Sequence, residues 1–185
     1  MIESERFSVL CSYSNLEING KTYRNFSFIW EELQQYILSL SPKTFPVIHG
    51  DLCFSNILCG INNNDVVLKL IDPRGSFGVR CIYGDALYDQ AKLRHSFEGG
   101  YEYIIYDRFH LSCGKDLRQF SFCLSNDNLI KIKSIFNIET TIESKLIEGL
   151  IFIGMCARHY DSFNRQVVMY LTGVKLLNEF LEEIK

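Results

Sequence analysis

The chain has no Cys-x-x-Cys pair, no long apolar run, no basic excess and, in its first 48 residues, no glycine other than Gly20. Each absence removes a class of protein. Seven cysteines, an odd number at scattered positions, fit neither a disulfide framework nor a structural zinc site, and they read as buried free thiols with no chemistry of their own. The longest apolar stretch, around Leu150 to Ala157, falls far short of the ~20 residues that span a bilayer. The opening Met-Ile-Glu-Ser-Glu-Arg lacks the basic-then-apolar layout of a signal peptide. A net charge of −3 offers no field for a polyphosphate backbone. The expectation is a cytoplasmic protein that binds neither membrane nor nucleic acid. With 185 residues, 47% hydrophobic and 22% charged, it reads as a single globular domain over residues 1–185. The glycine-poor start cannot build a glycine-rich loop that cradles phosphates.

What is present is concentrated in one stretch: His49-Gly-Asp-Leu-Cys-Phe-Ser-Asn56, then Ile71-Asp72-Pro-Arg-Gly. Phosphoryl transfer needs a carboxylate beside the attacking hydroxyl, and an amide oxygen and a second carboxylate on Mg²⁺. His-x-Asp-x-x-x-x-Asn with a downstream Asp supplies all three. The protein-kinase loop has Asp and Asn at this separation with Arg between His and Asp, where this chain has Gly50. With glycine there, the pattern resembles the aminoglycoside phosphotransferase and choline kinase group, small-molecule kinases of the protein-kinase-like fold. Gly84-Asp-Ala-Leu-Tyr-Asp89-Gln-Ala extends the resemblance, being similar to that group's Gly-Asp-Pro-x-x-Asp-Leu-Ala segment with Ala86 for Pro and Gln90 for Leu. The wording is closest to phosphotransferase-like proteins of bacterial surface-polysaccharide genes.

The resemblance implies a mechanism residue by residue. Asp51 orients and accepts the proton of a small-molecule hydroxyl, and His49 stands beside it as organiser of the loop more than proton carrier. Asn56 and Asp72 hold Mg²⁺ against ATP. Arg74 is a candidate for a phosphate, with an ordinary ion pair the competing reading. Asp85 and Asp89 brace the catalytic loop. Glu98, Tyr101 and Glu102 are candidates for substrate selection, the substrate being an amino sugar, a choline-like alcohol or a sugar. The group's N-terminal lobe, with its phosphate-covering loop and strand lysine, has no counterpart here. Neither Lys21 nor Lys43 lies in a suitable apolar strand. The chain therefore reads as a C-terminal lobe whose N-lobe is supplied by another polypeptide, truncated or lost. The alternative is a non-catalytic binding or scaffold module of the same descent.

Local patterns predict an α+β fold, mainly α. Asn19-Gly20 between short alternating runs signals a hairpin over 16–23, and helical spacing runs from Phe26 to Leu40. Strands at 56–59 and 66–71 should form a hairpin ending at Asn56 and Asp72. Helices are expected at 85–97, 101–111, 140–159, opened by a Thr140–Glu143 capping box, and 163–183, with 117–125 ambiguous. Gly149 and Gly154 are expected to let helices pack closely, and Arg158-His159-Tyr160 to serve a helix end.

Overall fold

The computed structural model describes residues 3–40, 45–62, 65–76, 81–124, 131 and 141–185. Thr140, the first residue of the expected capping box, lies outside them. The fold is α+β. Helix α1 (Glu3–Ser12) leads into a hairpin, β1 (Asn15–Ile18) and β2 (Lys21–Arg24), and then α2 (Phe26–Ser39). Asn19 and Gly20 both take positive φ, 50° and 80°, the twist a two-residue hairpin turn requires. After the loop carrying the motif come a short 3₁₀ turn (Phe54–Asn56) and a second hairpin, β3 (Ile57–Asn62) and β4 (Asp65–Leu70). Helices α3 (Ala86–Phe97) and α4 (Tyr101–Ile105) follow, then β5 (Phe109–Cys113) and β6 (Gln119–Leu124), and finally α5 (Ile142–Met155) and α6 (Phe163–Glu183).

The first hairpin is not free-standing. Its β1 pairs in parallel with β6, giving a four-stranded sheet in the order β2-β1-β6-β5. The inner face of that sheet, Leu16, Ile18, Tyr23 and Phe120, joins Val167, Val168, Leu171 and Val174 of α6 in the larger core. A second core sets Ile29 and Leu33 of α2 against Leu146 of α5 and Leu177 and Phe180 of α6. Helix α6 is therefore the axis on which both ends of the chain are packed. Fully buried Asn25 fastens the joint. Its side chain accepts from Phe26 N–H at the N-cap of α2 and from the Tyr170 hydroxyl at 2.6 Å, and donates to the carbonyls of Leu10 and Tyr13. Helices α5 and α6 meet closely, because a Cβ on Gly149 would lie 2.8 Å from the Leu177 side chain.

Four expectations change. Residues 101–111 are not one helix: α4 stops at Ile105, Asp107 takes a left-handed φ of 55°, and Phe109–Cys113 extends to pair with β6. Long-range pairing overrides the local helical pattern. Helix α5 begins at Ile142 with Thr141 as its cap, its hydroxyl accepting from Ser144 N–H. Gly154 meets nothing within 4 Å of a built Cβ, so it makes no close packing. Of the cysteines, Cys53 and Cys156 are buried, while Cys59, Cys113 and Cys123 are exposed.

The β3–β4 hairpin is unlike the rest. In its register, Ile57, Cys59 and Ile61 oppose Leu70, Leu68 and Val66, so one face carries six apolar side chains. Every residue of β4 is exposed, Val66 at 65%, Leu68 at 64% and Leu70 at 52%, and Ile61 reaches 80%. Among the described residues no helix is long and apolar enough to cross a membrane.

Candidate functional site

The motif loop is fixed from three sides. Asp85 N-caps α3 by accepting from Leu87 N–H, which sets Asp89 in the first turn. From there the Asp89 carboxylate accepts from the backbone N–H of His49 at 2.6 Å and of Gly50 at 2.8 Å. Glu102 of α4 accepts from Phe54 N–H at 3.1 Å and from the Ser96 hydroxyl at 2.9 Å, holding the other end. The segment before the motif is pinned by Ile48 N–H to Ile82 O at 3.0 Å. Asp89 thus braces the loop, whereas Asp85 serves its helix.

His49 lies inside this network. Its Nδ1 accepts from Asp51 N–H at 3.3 Å and its Nε2 lies 3.0 Å from the carbonyl of Ile71. A donor N–H at Nδ1 and an acceptor carbonyl at Nε2 fix the tautomer, with the proton on Nε2. Both nitrogens are spent on backbone, so His49 joins the two motif segments rather than carrying protons. Ile71 N–H to Asn56 O (3.0 Å) and Arg74 N–H to His49 O (2.9 Å) complete the joint.

Asp51 and Asp72 face one open cavity of about 590 Å³. Asn56 lies beside Asp51, its amide donating to the Asp51 carbonyl at 2.9 Å and to Oδ2 at 3.4 Å. Asn56 is not among the residues lining the cavity, and its amide oxygen receives no hydrogen bond from the described residues. Asp72 is exposed, has φ of 58° and forms no ion pair with the described residues. Aspartate is among the non-glycine residues that adopt this left-handed backbone most readily. Arg74 lines the same cavity, where its guanidinium donates to the Tyr88 hydroxyl at 3.1 Å.

Sequence reasoning missed Lys92. It sits one turn beyond Asp89 on α3, only 5% exposed, with Nζ 2.8 Å from Asp51 Oδ1 and 5.7 Å from the Tyr101 ring centre. The i, i+3 spacing from Asp89 was a usable signal, since it puts both on one helix face. Also missed were Arg158 and the apolar wall of α5, formed by Ile147, Leu150, Ile151 and Met155. Glu102 and Tyr101, expected to meet substrate, face inward instead: Glu102 clamps the loop, and the Tyr101 ring lies 4.2 Å from that of buried His95. Burial pushes the Tyr101 hydroxyl up to about 12. Burial, then neighbouring Lys92, pushes His95 well below its usual range.

The donor set suits a hard cation. Among the described residues no three His, Cys, Asp or Glu side chains gather into a cage, but Mg²⁺ is commonly bound by one or two protein oxygens with phosphates and water completing its shell. The Asp72 carboxylate and the Asn56 amide oxygen are both uncommitted to the described residues. The chain matches no family model, no curated protein and no solved structure.

Proposed function

We propose that this chain is the acceptor-binding lobe of a small-molecule phosphotransferase of the protein-kinase-like fold. The observation that carries the reading is the pair of carboxylates on one cavity: Asp51 on a loop braced by Asp89, and Asp72 beside it with no ion pair to the described residues. A nucleoside triphosphate and a small alcohol are the co-substrates. The acceptor oxygen forms a bond to the γ-phosphorus, the bond to the β,γ-bridging oxygen breaks, the hydroxyl proton passes to Asp51 and the nucleoside diphosphate leaves. Asp72 and Asn56 would hold Mg²⁺, which neutralises charge on the phosphates when bound. Lys92 holds the Asp51 carboxylate in place at the cavity through the 2.8 Å ion pair.

The phosphate clamp would come from a second lobe. Residues 3–40 are committed to the α6 core, and the six-residue apolar face of the β3–β4 hairpin offers a docking surface next to the motif. The test is calorimetry of MgATP with this chain and with its Asp72→Ala variant, alone and with an upstream lobe added. Metal-dependent binding that needs both Asp72 and the added lobe is expected. Micromolar binding by this chain alone, lost in Asp72→Ala, would show that it suffices without a second lobe. No binding in any combination would favour the non-catalytic binding module.

A further inference from the structure

The charges of the cavity specify an acceptor that the motifs do not. Arg24, Arg94, Arg118 and Arg165 each pair with a carboxylate. Arg74 and Arg158, both lining the cavity, have no carboxylate partner among the described residues. Of the two carboxylates there, Asp51 is neutralised by Lys92 at 2.8 Å, and Asp72 is the one suited to a metal. What remains facing solvent is cationic. Resting on the phosphotransferase reading, we propose that the acceptor is an anionic alcohol, a hydroxylated molecule whose phosphate or carboxylate group is held by Arg158.

Placement separates Arg158 from Arg74. Arg74 follows Asp72 by two residues and its amide is bonded to His49 O, so it belongs to the motif edge of the cavity. Arg158 comes from the turn after α5, where its own N–H is bonded to Met155 O at 2.9 Å, next to Leu150, Ile151 and Met155. An acceptor with its hydroxyl at Asp51 lays its carbon skeleton on that apolar wall and reaches Arg158 with its anionic end. A guanidinium suits this task because its planar fork matches phosphate and carboxylate oxygens. A cationic amino sugar or choline-like alcohol would meet two guanidinium groups that have no carboxylate partner among the described residues, with Asp51 already paired to Lys92 and Asp72 the single acid to offset them, an arrangement that disfavours like charge.

The test is NMR titration of the 185-residue chain, without nucleotide or metal, using glycerol 3-phosphate, glycerol and choline as probes. Glycerol 3-phosphate is expected to shift the Arg158 and Leu150 signals and to bind at least tenfold more tightly than either other probe. Arg158→Gln should lose about tenfold in affinity and Arg158→Lys less, while Lys69→Gln, an exposed cation on the hairpin, changes nothing. The idea is overturned by equal or tighter binding of choline or glycerol, by no response to glycerol 3-phosphate, or by full affinity in Arg158→Gln. Displacement of glycerol 3-phosphate by MgATP in the two-lobe assembly would overturn it too, since the cations would then belong to the nucleotide. Selective, Arg158-dependent binding alongside MgATP binding that ignores Asp72 would leave the anion site standing and remove the phosphotransferase reading.

Discussion

Asp89 is the residue on which the shape of the motif loop depends, and Asp89→Ala removes two backbone hydrogen bonds at once, at 2.6 and 2.8 Å. Hydrogen bonds to a charged group contribute about 1.5–3 kcal/mol each. The site is half-buried, so water can re-solvate part of what is lost, and about 2–4 kcal/mol for the pair is the reasonable expectation. That loss belongs to the loop rather than to the α6 core, so it will be seen as local opening more than as global unfolding. The assay is native-state hydrogen exchange at the His49 and Gly50 amides. With each 1.4 kcal/mol worth a factor of ten, their exchange should accelerate by roughly 30-fold to 1,000-fold in Asp89→Ala. Amides in α6 should keep their rates. Asp89→Asn recovers one bond at most, because its amide presents N–H where the second backbone N–H also points. Unchanged protection at His49 and Gly50 in Asp89→Ala would show that the other ties hold the loop without this carboxylate.

The remaining expectations concern the frame around the site. Arg94 and Glu148 form a buried pair at 3.0 Å, 8% and 0% exposed, joining α3 to α5. Glu148→Ala should cost about 3–5 kcal/mol in urea unfolding, and Arg94→Met with Glu148→Leu should restore most of it; additive losses in the double variant would contradict this. His95 is buried with both ring nitrogens lacking partners among the described residues, and its folded pKa lies below the unfolded one. The unfolded state alone takes up that proton, so stability falls as pH drops below about 6.5, by at most ~1.4 kcal/mol per pH unit. His95→Phe should flatten that slope between about pH 7 and the folded pKa; an unaltered slope would assign the acid loss elsewhere. Ile61→Ser with Leu68→Thr should change stability by no more than about 0.5 kcal/mol while lowering binding of a hydrophobic dye; a loss of several kcal/mol would mean the face is packed.

The parts of the fold read correctly from sequence are those whose signals are local. Asn19-Gly20 announces its own turn, Asp85 its own helix start, and the β-branched and apolar run from Val66 to Leu70 its own strand. Residues 109–113 failed because β5 exists only by pairing with β6, whose other neighbour, β1, lies near the opposite end of the chain. No window around Phe109 contains that information. The site divides the same way. His49, Asp51, Asn56, Asp72 and Arg74 are close in sequence and come together in space, with Asn56 off the cavity lining but next to Asp51. Lys92 and Arg158 were passed over because an isolated cation on a helix or at a helix end has an ordinary structural explanation, and only the folded cavity shows that they face one space. Glu102 went the other way: an exposed-looking acid after Gly100 turned out to hold Phe54 and Ser96.

The two motif segments share a feature that neither shows alone. Gly50 has φ of 75° and Asp72 φ of 58°, and the segments that carry them lie against each other: a Cβ on Gly50 would stand 2.9 Å from Arg74 Cβ. Glycine at the first position is what permits the approach, because it tolerates the left-handed backbone and leaves room for Arg74. At the second position the same backbone holds an aspartate, which tolerates it less well than glycine but better than most other residues. No ion pair or hydrogen bond from the described residues engages that carboxylate. An aspartate there serves the proposed reading, in which its carboxylate would meet a hard cation on the cavity that Asp51 also lines.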